Sequence, residues 1–169
     1  MRIYLIGYMG SGKTTLGREL ASKLSMSFLD LDKYIEKTYF KTIPQLFEEE
    51  GEKAFRLKEQ SCLHEVSEFD DVIIATGGGA PCFFDNIQVM NDTGYCVFLD
   101  VDTEELAGRL MKSKSERPLI KDKSPEELAG FIDGMMGKRR PYYEQANYIV
   151  SGTNITVEEI LKRIELEHD

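Results

Sequence analysis

The segment Gly7-Tyr8-Met9-Gly10-Ser11-Gly12-Lys13-Thr14 brings together the groups that handling a polyphosphate requires. Its glycines let the backbone curl, so that consecutive N–H groups around Gly10, Ser11 and Gly12 point inward at phosphate oxygens. Lys13 adds a mobile positive charge for the β and γ phosphates, and the Thr14 hydroxyl is suited to ligate the Mg2+ that travels with a nucleotide. The plainer alternative is a glycine-rich turn that happens to precede a lysine. Against it, the apolar run Ile3-Tyr4-Leu5-Ile6 comes before the segment, and Leu16, Leu20 and Leu24 follow at helical spacing. Strand, glycine-rich turn and helix together are the context that a phosphate-binding loop, or P-loop, demands. The helix adds the positive end of its dipole to the same phosphates.

Three further groupings have the residue types for chemistry beside a bound nucleotide. Phe28-Leu29-Asp30-Leu31-Asp32 reads as a short strand ending in two acids one residue apart, which point the same way if the strand runs through both. Beside the P-loop strand in a parallel sheet, Asp30 would hold the metal through water, and Asp32 would accept a proton from, or orient, a substrate hydroxyl. Equally, Asp32 is a suitable N-cap for the helix beginning at Lys33. Arg56, with Glu59 one turn on, is either an ordinary surface ion pair or a planar fork aimed into a cleft to hold a carboxylate, steadied by Glu59. Thr76-Gly77-Gly78-Gly79-Ala80-Pro81 directly follows the apolar run Val72-Ile73-Ile74-Ala75, where close approach of backbone N–H groups to a small ligand accounts for three glycines better than a linker does. Lys112 to Ile120 is polar and charged, as a mobile flap or a plain solvated loop would be. From a flap, Arg117 would swing over the nucleotide and stabilise charge on a transferring phosphoryl group.

The elements that must position these groups alternate. After the strand at residues 3–6 and its helix come the strand at 28–32 and a helix from Lys33. One helix then stops at Gly51, and another runs from Glu52 to about Phe69 with Phe55, Cys62, Val66 and Phe69 as its apolar stripe. A strand at 71–75, a short helix near 84–92, a strand at 95–100, helices around Leu106 and Met135-Met136, a strand at 148–150 and a closing amphipathic helix complete the order. Met135 and Met136 read as core fillers. A β-α repeat without composition breaks predicts one three-layer α/β/α domain over 1–169, with a central parallel sheet of about five strands. At 169 residues the chain can bury a core without staples, and three cysteines without a CxxC pair fit a reduced, cytoplasmic protein. A net charge of -9 argues against nucleic acid as partner, no stretch approaches membrane-spanning length, and no apolar stripe is left over, so a monomer is expected.

Taken together, these residues resemble the shikimate kinase family within the nucleoside-monophosphate-kinase-like branch of P-loop proteins. The likeness rests on the P-loop through Thr15, Gly17-Arg18, Asp30-Leu31-Asp32, Ile35-Glu36, Gly51-Glu52 with Phe55-Arg56, Gly77-Gly78-Gly79, Arg117-Pro118-Leu119 and Arg139-Arg140-Pro141-Tyr142-Tyr143. It implies ATP- and Mg2+-dependent phosphorylation of the 3-hydroxyl of shikimate, a step of aromatic amino-acid biosynthesis. By that resemblance Gly10 to Thr15 bind the nucleotide, Lys13 and Arg117 meet phosphate charge, and Thr14 ligates the metal. Asp32 binds the substrate hydroxyls, Arg56 and Arg139 grip its carboxylate, and Gly78 and Gly79 donate backbone N–H groups. The resemblance also implies a substrate-binding helical segment at about 32–69 and a lid at about 112–124. Arg109 is a candidate for the arginine near the adenine, and Phe40 stands where the family usually has glycine. The rival readings are a P-loop kinase for gluconate or a nucleoside monophosphate, and a non-catalytic nucleotide sensor, which would need neither a flap arginine nor an acid beside the acceptor.

Overall fold

Burial sorts the apolar runs into strands before anything else does. Ile3 to Ile6, Val72 to Ala75 and Cys96 to Leu99 are continuously buried, the pattern of parallel strands covered on both faces by helices. The computed structural model describes residues 1–113 and 122–166, the side chain of Leu166 excepted. Its five strands are β1 (Arg2–Ile6), β2 (Ser27–Asp30), β3 (Val72–Ala75), β4 (Tyr95–Val101) and β5 (Tyr148–Gly152), all parallel, in the order β2-β3-β1-β4-β5. The helices are α1 (Lys13–Leu24), α2 (Leu31–Tyr39), α3 (Ile43–Val66), α4 (Asn86–Thr93), α5 (Thr103–Ser113), α6 (Pro125–Tyr143) and α7 (Val157–Leu166), with a 3-10 turn at Ala80–Cys82. This is the expected α/β/α P-loop architecture with five parallel strands. Among the described residues no helix is long and apolar enough to cross a membrane.

The topology differs from expectation in one respect that matters for the site. The strand carrying Asp30 does not lie beside β1; β3 stands between them, pairing with β1 from Arg2↔Val72 to Leu5↔Ala75 and with β2 from Ser27↔Val72 to Asp30↔Ala75. β3 has the fully buried apolar run and takes the interior place beside β1, while half-buried β2 takes the edge. β1 therefore has β3 on one side and β4 on the other. Chain direction away from β1 reverses there, and its carboxyl end is the switch point where ligands of such sheets bind. The P-loop leaves β1 at that point, and the triple glycine leaves β3 next to it.

Several boundaries shift for local reasons. Asp30 accepts Lys33 N–H at 3.2 Å and caps α2, so the strand ends there and Asp32 sits inside the helix rather than capping it. Thr42 and Gln45 form a reciprocal capping box at the start of α3. The helix breaks at Gly51, whose φ of 87° and ψ of 169° only glycine adopts easily. The stripe of its second half ends at buried Val66, and Phe69 lies past the helix, exposed. The helix expected from Phe84 starts instead at Asn86. Met136 is buried and Met135 packs against the core.

Gly94 marks a tight contact of the sheet with its surroundings. A Cβ there would lie 2.5 Å from the Arg2 carbonyl oxygen on central β1, so the backbone itself would have to move. Gly94→Ala is expected to lower unfolding free energy by about 1–3 kcal/mol, read as a lower urea midpoint at unchanged m-value.

Candidate active site

One cleft of about 720 Å3 opens at the carboxyl end of the sheet, lined by the P-loop, Asp30, Asp32 and Thr76 to Gly78 on one side and by Glu105, Arg109, Asn154 and Ile155 on the other. The P-loop is folded back on itself. Lys13 Nζ donates to the Gly7 carbonyl and to the Tyr8 carbonyl at 3.4 Å, so the ammonium is held over the curl of the loop. Arg109 tethers the far wall through three bonds of 2.9 Å, to Glu105 Oε1, the Gly10 carbonyl and the Thr153 carbonyl. The loop directly after β5 had no recognisable signal in the sequence. Asn154 and Ile155 belong to no motif, and only the return of β5 beside β4 brings them to the P-loop.

The three glycines after β3 are a plane against which three charged side chains lie, one for each glycine. A Cβ on Gly77 would stand 3.0 Å from Asp32 Oδ1, one on Gly78 would stand 2.8 Å from Arg139 Nη1, and one on Gly79 would stand 2.6 Å from Arg56 Nη2. Any larger residue would push these groups out of position, which is why the loop lacks side chains here. The loop begins at once after the strand, because Thr76 N–H still bonds the Leu5 carbonyl at 3.2 Å. Asp32, Arg56 and Arg139, which come from α2, α3 and α6, are thus gathered on one short stretch of backbone.

The two arginines are held from behind. The Arg56 guanidinium donates from Nη1 to Glu59 Oε1 at 2.9 Å, lies 3.6 Å by Nε from Glu52 Oε1, and packs over the rings of Phe83, Phe55 and Phe47 at 4.2, 5.2 and 5.9 Å. The break at Gly51 makes part of this cage, since it lets Phe47 and Phe55 from the two halves of α3 meet at 4.5 Å. The pair is no surface bridge. The side chains of Arg56 and Glu59 are 11% and 1% exposed, because α3 presents this face to the glycine loop rather than to water. Arg139 sits 5.5 Å over the Tyr8 ring of the P-loop, and Tyr143, one turn further along α6, donates to the Gly78 carbonyl at 2.6 Å. Arg140 faces the other way, held by both oxygens of Asp100 at 3.2 and 3.1 Å. Arg117 and most of the expected lid lie outside the described residues.

Burial dominates the electrostatics. Desolvation raises the Asp32 carboxyl above the ordinary carboxylate range, nearby Asp30 adds to it, and Lys13 and Arg56 oppose it. Glu59 is pushed up to about 7, again by burial first, against the pull of Arg56. Desolvation also raises the Tyr143 phenol.

Comparison with known proteins agrees with this geometry. The family model described as shikimate kinase matches residues 9–167. The chain belongs to the shikimate kinase family. It is 55% identical over 149 residues to the shikimate kinase of Bacteroides fragilis, covering 88% of this chain and 83% of that one. A crystal structure of the family member from Bacteroides thetaiotaomicron superposes with a TM-score of 0.92 at 46% identity, covering 100% of this chain and 99% of the other. The Acinetobacter baumannii shikimate kinase, solved in complex with shikimate, gives a TM-score of 0.81 at 37% identity, covering 99% and 91%.

The raised Glu59 carboxyl has a consequence for stability in this family member. Between about pH 4.5, its ordinary value, and about 7, the folded chain holds a proton that the unfolded chain has lost. Stability from this group is therefore greatest at the acid end of that window and falls as pH rises through it. Glu59→Gln keeps the shape and removes the titration, so the decline in urea midpoint between pH 5 and 8 should be shallower than in the wild type.

Proposed function

We propose that the chain transfers the γ-phosphoryl group of ATP to the 3-hydroxyl of shikimate, giving shikimate 3-phosphate and ADP. The observation that carries this reading is the row of Asp32, Arg139 and Arg56 along Gly77, Gly78 and Gly79, of which Asp32, Gly77 and Gly78 line one cleft with the P-loop. An acceptor with hydroxyls at one end and a carboxylate at the other fits such a row, with the hydroxyls toward Asp32 and the carboxylate toward the two guanidiniums. A bare sensor would leave the paired arginines and the desolvated acid without a purpose.

In this reading the residues have distinct tasks. Gly10, Ser11, Gly12, Lys13, Thr14 and Thr15 cradle the phosphates through backbone N–H groups, the α1 N-terminus and the lysine ammonium. Arg109, tied to the P-loop at Gly10, stands at the nucleotide end of the cleft. Arg56 and Arg139 take the carboxylate with their planar forks, joined by N–H groups of Gly78 and Gly79. Asp32 receives or orients the proton of the acceptor hydroxyl. Its raised basicity suits that task better than an ordinary surface aspartate would. Arg117 is assigned a second contact with phosphate charge on its family motif alone.

Mg2+ fits the oxygen donors available. Thr14, Asp30 and Asp32 line one cleft, and among the described residues no cluster of three or more His, Cys, Asp or Glu side chains competes for a metal. A hard ion that keeps its waters and binds mainly to substrate phosphates needs no such cluster. Thr14 would ligate it directly and Asp30 through water, and the ion supplies charge neutralisation on the phosphates. The protein's own share of catalysis is positioning and electrostatic stabilisation. We assign the chain 1–169 as one domain, with an acceptor segment at about 32–69 and a lid at about 112–124, acting as a cytoplasmic monomer.

The test is ADP release from Mg-ATP with shikimate, with gluconate, and with no acceptor. Shikimate-dependent ADP is expected; turnover on gluconate alone moves the acceptor, and release without acceptor reduces the reading to an NTPase. Asp32→Asn should lower kcat by roughly 100-fold or more, with nucleotide affinity nearly unchanged; near-normal turnover would remove Asp32 from the mechanism. Asp30→Asn removes a neighbouring negative charge that raises Asp32, so the acidic limb of the kcat/KM profile should move to lower pH.

A further inference from the structure

The segment between the glycine loop and α4 is built to present one ring. Phe83 lies with its centroid 4.2 Å from the Arg56 guanidinium carbon, nearer than the rings of Phe55 and Phe47. Three features of the backbone hold it there. Cys82 N–H bonds the Gly79 carbonyl at 3.0 Å, which closes the turn that carries the chain from the glycines to the ring. Asn86, fully buried, donates its side-chain amide to the Ala80 carbonyl at 2.9 Å and its backbone N–H to the Phe83 carbonyl at 3.2 Å. Phe84, next in the chain, is held at a φ of 53°, a left-handed conformation that costs a bulky side chain free energy, while its ring is left half exposed. Strain of this kind persists where the surroundings over-determine the backbone. Here it directs neighbouring Phe83 inward and Phe84 outward.

From this we infer that Phe83 is a positioning residue for the acceptor's carboxylate. It acts through Arg56 by closing one face of the guanidinium. An arginine has a long stem with several rotatable bonds, and Glu59 restrains only its Nη1 end. With its centroid 4.2 Å from the guanidinium carbon, the ring restrains the remaining rotation, so that the donors not used by Glu59 are aimed along Gly79 before substrate arrives. Stacking also shields the cation from water on that side, which strengthens its bond to an incoming carboxylate. The energy of ordering is then met on folding, and binding gains by the amount not spent later. The effect belongs to the ground state and the transition state alike, because the carboxylate end of the acceptor does not react. It therefore appears in KM and not in kcat.

This inference rests on the proposed kinase reaction, and the experiment separates the two. Wild-type protein, Phe83→Leu, Phe83→Met and Phe83→Tyr are compared for KM of shikimate, KM of ATP and kcat, with thermal melting as a check on folding. Leucine and methionine remove the ring and keep apolar bulk; two such variants guard against one that fails to fold. Both should raise KM for shikimate by about fivefold to thirtyfold, with kcat and the KM for ATP within about twofold of wild type. Tyrosine, which keeps the ring, should restore a KM near that of wild type. In an Arg56→Lys background the Phe83→Leu change should lose most of its effect, since the planar partner of the stack is gone. An unchanged KM in both ringless variants overturns the inference, as does an equal rise in the Arg56→Lys background or a loss confined to kcat. Absence of shikimate phosphorylation in the wild type would instead overturn the reaction on which the inference rests.

Discussion

The arrangement depends on keeping four charged groups partly out of water and close together without side chains between them. Asp32, Glu59, Arg56 and Arg139 would each pay a large desolvation penalty if buried alone. The glycine loop removes the obstacle, and the mixed signs offset most of the penalty. The burial is nonetheless incompletely compensated, which is why both carboxyls are raised despite adjacent guanidiniums. On the proposed reading, a carboxylate reaching Arg56 and Arg139 would supply the negative charge that the protein's own acids, with their elevated proton affinity, supply only in part.

The same loop joins the two halves of the cleft. Gly78 bears Arg139 on one side and bonds Tyr143 through its carbonyl, and Arg139 in turn lies over Tyr8 of the P-loop. Because β1 and β3 are paired neighbours, the P-loop and the glycine loop leave adjacent strands at the same level. On the proposed reading, a nucleotide on one and an acceptor on the other would be brought together by sheet register. Parallel pairing thus does for the two substrates what proximity must do in any transfer reaction.

How much of this could be read from sequence depended on whether a signal was local. The P-loop, the break at Gly51 and the buried runs of β1, β3 and β4 are properties of neighbouring residues, and each was legible. The place of β2 was not, because strand order is a contest between non-adjacent segments that only burial decides. Asp30 and Asp32 looked like two acids on one face of a strand, and whichever acid caps the helix determines where the strand stops. Arg56 was ambiguous for a related reason: an Arg–Glu spacing of three looks the same on a wet face as on a dry one, and only the closeness of Gly79 tells them apart. Asn154 and Ile155 carried no pattern at all. Phe40 was visible as a departure from the family, and its φ of 57° in a nearly fully exposed turn shows the left-handed conformation that a glycine would take with less strain.

A chain of net charge -9 that binds two anions must do so against its own average field. Exposed charges act weakly beyond about 8–10 Å at physiological salt, so the surface acids scattered over the helices set a background rather than a barrier. Within the cleft the distances are those of contact. Lys13 and Arg109 are on or bonded to the P-loop, and Arg56 and Arg139 touch the glycine loop, all in surroundings of lower dielectric than bulk water. Coulomb attraction grows as both separation and effective dielectric fall, so four cations placed this way outweigh many more acids in solvent. Recognition here is therefore short-ranged and geometric. It follows that affinity should depend on how rigidly those cations are held, and hence on ion pairs and rings behind them that never touch a substrate.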